Sequence, residues 1–366
     1  MKKRQSMPTA DGFRMPAEYE KQHGCLMIWP QRPGSWGIDR SSAEEAFTQI
    51  IRAIASCEMV YVFVGCEAYT RVSDLFADNS NVKVIKVQTD DSWARDTGAT
   101  FVTNGIERCG IDWEFNAWGG TYDGLYTDYA HDRLVASKIC EVLGDAVYDA
   151  GGFVLEGGSI HVDGEGTLIT TEECLLSPGR NPTMSKREIE EKLKSYLGVT
   201  KVIWLPYGIY QDETNGHVDN FCCFWGPGKV LLAWCEDETD PQYERSALAY
   251  EILSKETDAK GRAFEIVKLP IPSKPICIEE RDLANFVFEE GEDTRDVGER
   301  LAASYINFYI ANDCVLVPQF GDQNDQTAIG ILTACFPGRR IVGIWALDIL
   351  KGGGNIHCIT QQIPEV

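Results

Sequence analysis

The sequence predicts an α/β fold made of repeated units. Short runs rich in β-branched and aromatic residues alternate with segments of helical periodicity along the whole chain. A second pattern, a polar start followed by a short strand, a turn and another strand, recurs several times. No linker rich in serine, glycine or proline divides the 366 residues. We therefore expect a single domain that spans residues 1–366.

The predicted elements follow one another in α/β order. The clearest strands are the apolar runs 60–64, 82–87, 202–205 and 230–234. Helical periodicity marks the segments at about 42–56, 127–143, 184–197, 240–255 and 295–303. Strands separated by helices in this way are typical of an α/β protein.

Four segments share the hairpin pattern, and a fifth resembles its beginning. The four start with the sequences RDTGATF, EGGSIHV, HVDNFCC and INFYIAN. The last segment, GGGNIHCITQQ, looks like a fifth copy that is cut short. Asp96, Glu156 and His217 stand at polar starts, at nearly equal intervals. If the units close into a ring, these residues and Cys358 meet at its centre; the alternative is a run of unrelated hairpins that mimics a repeat.

Composition limits the partners and the compartment. The chain has 34 basic and 56 acidic residues, so its formal net charge is -22. This charge argues against nucleic acid or an anionic membrane and favours a cationic ligand, although an acidic surface also serves solubility. No apolar run is long enough to cross a bilayer, and the start lacks the apolar region of a secretory signal. The 13 scattered cysteines fit a reduced, cytoplasmic location.

The candidate nucleophile is Cys358, which follows three consecutive glycines near the chain end. Glycines remove side chains from a turn, so another molecule can approach the backbone closely. An ordinary thiol is mostly protonated at neutral pH and needs activation to react. His357 is adjacent, but strand alternation is expected to send its side chain to the opposite face. The alternative is that Cys358 is a buried structural residue.

Acidic groups and a histidine form the rest of the candidate site. His217 and Asp219, in the sequence NGHVDN, share one face if this segment is a strand, and they place an acid/base beside a carboxylate. A surface turn is the alternative. Glu156 stands beside two glycines, and Asp96 follows Trp93, which could equally belong to the core.

These residue types predict a cationic organic ligand. The sequence has no zinc-ligand spacing, no HExxH motif and no phosphate-binding glycine loop, so we expect neither a metal nor a cofactor. Buried carboxylates beside one nucleophile repel one another unless a cation lies between them. A guanidinium fits best because it is planar and pairs bidentately with carboxylates.

Several motifs together carry a family resemblance. They are IWPQRPGSW (28–36), WARDTG (93–98), FNAWGG (115–120), LEGGSIHVDG (155–164), NGHVDN (215–220) and GGGNIHC (352–358). With these motifs the chain resembles the agmatine deiminases of the pentein superfamily. The resemblance implies a five-bladed α/β propeller of pseudo-fivefold ββαβ-type repeats. It also implies hydrolysis of agmatine to N-carbamoylputrescine and ammonia without metal or cofactor, in putrescine synthesis or agmatine catabolism, and a homo-oligomer.

The resemblance also implies roles for particular residues. Cys358 matches the nucleophile, His217 the general acid/base and Glu156 its carboxylate companion. Asp96 and Asp219 match the clamp on the guanidinium nitrogens. The remaining matches, Trp93 and Glu213, imply positions near the substrate's plane and chain.

Other functions remain open at this point. A related arginine or peptidyl-arginine deiminase would differ at the far end of the substrate, where agmatine's ammonium needs an acid such as Glu213. Arginine's carboxylate would need an arginine or lysine there, and the candidate considered within the motifs is Arg95. A non-catalytic polyamine-binding propeller would need no nucleophile. A papain-like protease fits poorly because its cysteine lies near the mature amino terminus.

Overall fold

The computed structural model describes residues 2–366 and is a mixed α/β fold, as predicted. Its strands are β1 (Lys3–Arg4), β2 (Gln22–Ile28), β3 (Met59–Val64), β4 (Val82–Lys86), β5 (Thr100–Thr103), β6 (Arg108–Glu114), β7 (Ala146–Val154), β8 (Ile160–Val162), β9 (Thr167–Thr171), β10 (Lys201–Leu205), β11 (Cys222–Gly226), β12 (Lys229–Trp234), β13 (Glu265–Pro270), β14 (Tyr309–Ile310), β15 (Cys314–Gln319), β16 (Arg340–Trp345) and β17 (Gln361–Pro364). The four strands predicted from apolar runs are β3, β4, β10 and β12, which confirms them.

Helices separate most of these strands. They are α1 (Pro33–Trp36), α2 (Ser41–Ala55), α3 (Tyr69–Leu75), α4 (Ala94–Thr97), α5 (Gly120–Asp123), α6 (Val135–Leu143), α7 (Glu172–Leu175), α8 (Lys186–Leu197), α9 (Pro241–Lys255), α10 (Glu280–Leu283), α11 (Asp325–Cys335) and α12 (Leu347–Leu350). Among residues 2–366, every helix is too short or too polar to span a bilayer.

The strands of residues 2–366 form five sheets with a shared plan. In each sheet an antiparallel pair is followed by a strand that runs parallel to the second member: β5-β6-β7, β8-β9-β10, β11-β12-β13, β14-β15-β16 and β17-β2-β3. The first sheet adds β1 beside β7, and the last adds β4 beside β3. The four hairpins predicted from the repeat are therefore confirmed.

The fifth unit is complete, although its two halves lie at opposite ends of the chain. β17 pairs antiparallel with β2, and Gln361 lies opposite Leu26. The expectation of a copy cut short is wrong, because its partner strand stands near the beginning of the chain. A local sequence pattern cannot reveal a pairing between residues so far apart along the chain. The sheet thus joins the two chain ends.

Local sequence accounts for the main helices and strands. α2 buries Phe47, Ile50 and Ile54 on one face, in keeping with its apolar periodicity. A capping box formed by Ser185 and Glu188 opens α8, and Gly198 ends it in the left-handed conformation. β3 is apolar throughout because a strand with neighbours on both sides and helices over its faces has little contact with water.

Two predicted helices differ from the structure. Residues 295–303 form no helix; a turn occupies this region, with Gly298 at a φ of 86°. The helix of that unit is α11, between β15 and β16. The segment predicted at 127–143 becomes helical at residue 132, where a 3₁₀ turn, Asp132–Leu134, leads into α6. The Asp132 carboxylate accepts a hydrogen bond from the Asp90 amide at 2.8 Å.

We predict that the pairing of β17 with β2, which joins the two ends of the chain, is important for stability. Ile363 of β17 is 0% exposed, whereas Ile106 in a surface turn is 85% exposed. Ile363→Ala should lower the free energy of unfolding by about 2–5 kcal/mol, because it removes buried methyl groups and leaves a cavity. Ile106→Ala is the matched control and should change it by less than about 0.5 kcal/mol. Urea denaturation measures both; equal effects would contradict the pairing of the two ends.

Candidate active site

Four of the predicted residues occupy equivalent places in different sheets. Asp96 lies in α4 just before β5, and Glu156 lies just before β8. His217 precedes β11, and Cys358 lies in the turn before β17. Because each turn leads into the first strand of a repeated unit, the four side chains approach one another from separate parts of the fold.

The structure brings these side chains together around His217. Its Nδ1 lies 3.8 Å from Asp96 Oδ2, and its Nε2 lies 3.8 Å from Glu156 Oε2. Asp219 Oδ2 lies 3.8 Å from Cys358 Sγ. All five residues are buried. The expected convergence of the polar starts is therefore observed, and Asp219 joins it.

Gly158 provides the space in which three of these groups meet. A methyl group at this position would lie 2.5 Å from His217 Nδ1 and 3.0 Å from both Asp219 Oδ2 and Asp96 Oδ1. The Gly158 amide also donates a hydrogen bond to Asp96 Oδ1 at 2.8 Å. Any side chain at this position would displace the acidic groups or the imidazole.

The backbone around His217 differs from the expected strand. His217 caps a 3₁₀ turn, Val218–Asn220, so the alternation that would place His217 and Asp219 on one face does not apply. The interpretation of NGHVDN as a strand is wrong. Both side chains nevertheless reach Gly158, because the chain turns at His217 instead of continuing straight.

Cys358 also lies in a turn, and His357 beside it points away from the sulfur. The His357 ring contacts Asp219 and Glu18 instead. Because both residues lie in a turn, strand alternation does not explain why the side chains of His357 and Cys358 point in different directions. The glycines before them make room for other side chains: a methyl on Gly354 would lie 2.5 Å from Trp93 Cζ3.

Aromatic side chains form much of the cavity wall beside Cys358. Trp93 stacks on Trp36 with ring centroids 5.0 Å apart and donates to Asp91 Oδ2 at 2.9 Å. Trp93 belongs to a buried apolar cluster and also lines the cavity, so both interpretations of this residue apply. Trp118 donates to Asp96 Oδ2 at 2.8 Å and thereby fixes that carboxylate.

Burial and neighbouring charges shift the pKa values of the site. Burial raises the pKa of Asp96 to about 6, against the attraction of His217. Burial alone would raise the pKa of Glu156, but Arg180 and His217 lower it to about 2. Burial opposes protonation of His217, yet Asp96 and other neighbours raise its pKa well above the usual value. Burial, Asp219 and Asp96 raise the pKa of the Cys358 thiol. These directions favour an imidazolium at His217 and a neutral thiol at Cys358.

Sequence patterns missed three residues that hold this site. Arg180 Nε lies 2.7 Å from Glu156 Oε1, and both side chains are fully buried. Asn307 Nδ2 lies 3.3 Å from Cys358 Sγ. Asn307 stands just before β14, at the start of the fourth repeat, so the repeat itself contained the signal for a fifth converging residue. Trp118 was present in the FNAWGG motif and had no assigned role.

Paired charges form another part of the cavity lining. Glu213 lines the cavity as expected, but it forms an ion pair with Arg295, which also contacts Glu299 Oε1 at 2.7 Å. A second pair joins Arg32 and Glu292. The basic residues that line the cavity are Arg32, which lies in the motif IWPQRPGSW, and Arg295, from a segment with no recognisable pattern, rather than Arg95.

Within residues 2–366, two groups of side chains have donor atoms close enough to hold a metal ion. They are Glu18, His161 and His357, and Glu156, Cys174 and His217. Their members are distant in sequence, so spacing motifs cannot reveal them. In the first group Glu18 and His357 already bond to each other, and in the second Glu156 is paired with Arg180. A metal would have to displace these partners.

The fold and the site agree with a defined protein family. Residues 14–364 match the Porphyromonas-type peptidyl-arginine deiminase family, and the chain belongs to it. The chain is 53% identical over 364 residues to a Selenomonas ruminantium protein provisionally named an agmatine deiminase, covering 99% of this chain and 98% of that one. A Listeria monocytogenes protein provisionally named agmatine deiminase 1 is 52% identical, with 97% of each chain covered. The structure of the Enterococcus faecalis agmatine deiminase matches with a TM-score of 0.96 and 46% identity over all of both chains. The resemblance predicted from the motifs is confirmed.

We predict that the free protein holds Cys358 as a thiol at neutral pH. The rate of its alkylation by iodoacetamide should rise only at a pH above that of an ordinary thiol, because burial, Asp219 and Asp96 raise its pKa. Asp96→Asn removes one negative charge and should move the midpoint of this rate profile to lower pH. Mass spectrometry of the Cys358 peptide measures the midpoint, with exposed Cys66 as the control thiol. A profile for Cys358 that matches Cys66 would contradict the raised pKa.

Proposed function

We propose that this protein is an agmatine deiminase that converts agmatine and water to N-carbamoylputrescine and ammonia. The observation that carries the proposal is a thiol, Cys358, buried beside a histidine and three carboxylates. Close similarity to agmatine deiminases over nearly the whole chain supports the same substrate. In this proposal Cys358, His217 and Glu156 are catalytic, and the site uses no metal or cofactor.

We also propose that the chain is a single domain with the form of a five-bladed α/β propeller. Five sheets with the same order of strands support this arrangement. The pairing of β17 with β2 supports closure, because it joins the last unit to the first. The convergence of side chains from separate sheets is what a ring of units would produce.

Unpaired acceptors in the site suit a guanidinium. Asp219 Oδ1 and Glu156 Oε2 are buried and accept no hydrogen bond. A buried polar atom without a partner costs about 1–3 kcal/mol, which a ligand that donates N–H groups would recover. A guanidinium carries five such donors in one plane. We assign Asp96, Asp219 and Glu156 to its nitrogens and Trp93 to the wall along its plane.

The proposed reaction proceeds through a covalent intermediate. The Cys358 thiolate attacks the central guanidinium carbon, and the C–N bond to one terminal nitrogen breaks. His217, protonated in the empty site, donates its proton to that nitrogen, which leaves as ammonia. The neutral His217 then takes a proton from water, whose oxygen attacks the thiouronium carbon. Collapse of this second adduct breaks the C–S bond and releases the carbamoyl product and the thiol.

The distal end of the cavity favours a substrate that ends in a cation. The acids there are Glu213, Glu292 and Asp293, and the basic residues are Arg32 and Arg295. Both arginines are already paired with carboxylates, so they are poor partners for the carboxylate of arginine. This balance supports agmatine over arginine, with Glu213 near the substrate's chain. The family match keeps peptidyl-arginine as the alternative substrate.

Location and assembly complete the proposal. All thirteen cysteines are free, which supports a reducing, cytosolic compartment. The net charge of -22 supports a small cation over nucleic acid or an anionic membrane as the partner. We retain the homo-oligomer implied by the family resemblance.

The choice of substrate is tested with agmatine, arginine and a peptidyl-arginine in parallel. We expect ammonia release with the highest kcat/KM for agmatine, because the distal charges are acidic in balance. A coupled ammonia assay with purified protein measures all three. A preference for arginine or the peptide would reject agmatine as the substrate and leave the deiminase chemistry standing.

Removal of the sulfur separates binding from chemistry. Cys358→Ala should abolish ammonia release, since no other group can form the covalent intermediate, and should still bind agmatine, since the carboxylates remain. Calorimetry measures the binding, and the ammonia assay measures turnover. Cys66→Ala is the control, an exposed thiol that should leave both values unchanged. Near-normal turnover of Cys358→Ala would remove Cys358 from the reaction.

A further inference from the structure

Three buried side chains form a hydrogen-bonded series behind the reactive sulfur. His357 Nδ1 lies 2.8 Å from Asp219 Oδ2, and His357 Nε2 lies 2.7 Å from Glu18 Oε2. Asp219 Oδ2 in turn lies 3.8 Å from Cys358 Sγ. None of the three is more than a few per cent exposed. The series leads from a residue near the start of the chain to the sulfur near its end.

We propose that His357, held by Glu18, is a positioning residue that fixes Asp219 so that its second oxygen stays free for the substrate. Asp219 Oδ2 is engaged by the imidazole, whereas Oδ1 is buried with no hydrogen-bond partner. An imidazole held at one nitrogen only could rotate and release the carboxylate. This inference deepens the proposed function and rests on it, because Asp219 matters only if it binds a guanidinium.

The geometry defines the protonation of His357. Ionised carboxylates only accept hydrogen bonds, so an imidazole between two of them must carry a proton on each nitrogen. The other titratable groups near the ring are Arg95, whose Nη2 lies 3.2 Å from Glu18 Oε2, and His161, whose ring centroid lies 6.2 Å from that of His357 and whose pKa is lowered by burial to about 4. Burial and Arg95 act to lower the pKa of His357, but Glu18 and Asp219 outweigh them and raise it.

The charge on His357 affects Asp219 directly. Burial would raise the pKa of Asp219, but the hydrogen bond and charge of His357 lower it below the usual value. His217 and Arg95 act in the same direction. Without the imidazolium, Asp219 would take up a proton at a higher pH and lose its attraction for a guanidinium. His357 therefore supports binding at a position that touches no substrate.

Glu18 binds the His357 ring and is itself held by residues from other parts of the chain. Its Oε1 accepts a hydrogen bond from the Ile310 amide at 2.8 Å, and its Oε2 contacts Arg95 and His357. Burial opposes its ionisation, yet His357 and Arg95 lower the pKa of Glu18 to about 2. Glu18 thus stays charged throughout the working pH range and keeps the second nitrogen of His357 protonated.

Two substitutions test the two ring nitrogens of His357 separately. The amide of Asn can occupy the place of Nδ1 and donate to Asp219, whereas the amide of Gln can occupy the place of Nε2 and reach only Glu18. We expect His357→Gln to lower kcat/KM for agmatine by about 10- to 100-fold, the effect of losing a hydrogen bond to a charged group. His357→Asn should lose less than about 10-fold. If His357 only fills space, Gln, which is closer in size, would be the better replacement.

The pH profile distinguishes positioning from packing. In His357→Gln the acid limb of kcat/KM should move to higher pH or become steeper, because Asp219 then titrates in addition to Asp96. A purely structural effect would lower the amount of folded enzyme and leave the pH of the acid limb of kcat/KM unchanged. Thermal unfolding of each variant measures that amount. His161→Asn is the control: His161 is a buried neighbour that contacts Phe224 N and not Asp219, and its replacement should leave the limb unmoved.

Nitrogen NMR of the five histidines tests the series without turnover. The signals that vanish in His357→Asn identify His357, and we expect protons on both ring nitrogens at neutral pH. In Glu18→Gln, the His357 ring should lose one of these two protons within the pH range in which an ordinary histidine titrates. A neutral His357 ring in the wild type, or equal losses for Asn and Gln, would overturn the proposal. Failure of the wild type to release ammonia would instead reject the proposed function, and the NMR result would still report the state of the ring.

Discussion

The structure depends on the neutralisation of charges that are buried around Cys358. Four acids and four bases lie in two groups that meet beside Gly158: Glu18 and Asp219 with Arg95 and His357, and Asp96 and Glu156 with Arg180 and His217. With both imidazoles protonated and the four acids ionised, the charges of these eight residues sum to zero, and the raised pKa of Cys358 favours the neutral thiol. A guanidinium that enters adds one positive charge. Loss of the thiol proton then restores neutrality, so in the proposed reaction the substrate itself creates the nucleophile.

The fold supplies these charges from separate segments, which explains how so many can be buried together. Each turn before the first strand of a unit delivers one or two polar side chains, and the backbone ties the turns to one another. The Arg95 amide, for example, donates to the Cys358 carbonyl at 3.1 Å, next to the turn that carries Asp96. The pairing of β17 with β2 then prevents the last turn from fraying, although it lies near the chain terminus. Stability of the sheet and placement of the sulfur thus have the same origin.

Sequence patterns predicted the parts of this arrangement that depend on neighbouring residues. Hairpins such as β8/β9 and the polar starts at Asp96, Glu156 and His217 are visible because each lies within one short segment. The partner of β17, the Arg180 that neutralises Glu156 and the Glu18 behind His357 are not visible, since each acts across a long separation in the chain. The helix predicted at 295–303 is absent for a related reason. The segment has helical periodicity, but a left-handed glycine and the contacts of Arg295 with Glu213 and Glu299 outweigh it.

The ion pairs in the cavity also explain how the protein would discriminate between agmatine and arginine. Burial raises the pKa of Glu213, and Arg295 opposes that rise by pairing with it. A substrate carboxylate could reach Arg295 only by drawing it from Glu213, and the partly buried acid would lose that partner. Because 20% of the Glu213 side chain and 13% of the Arg295 side chain are exposed, breaking this pair costs less than the ~3–5 kcal/mol of a fully buried pair, and a new exposed ion pair returns at most about 1 kcal/mol. An ammonium meets no such barrier, because Asp293 lines the same cavity and forms no ion pair among residues 2–366. Discrimination would therefore rest on the cost of disturbing existing pairs more than on attraction to any single acid.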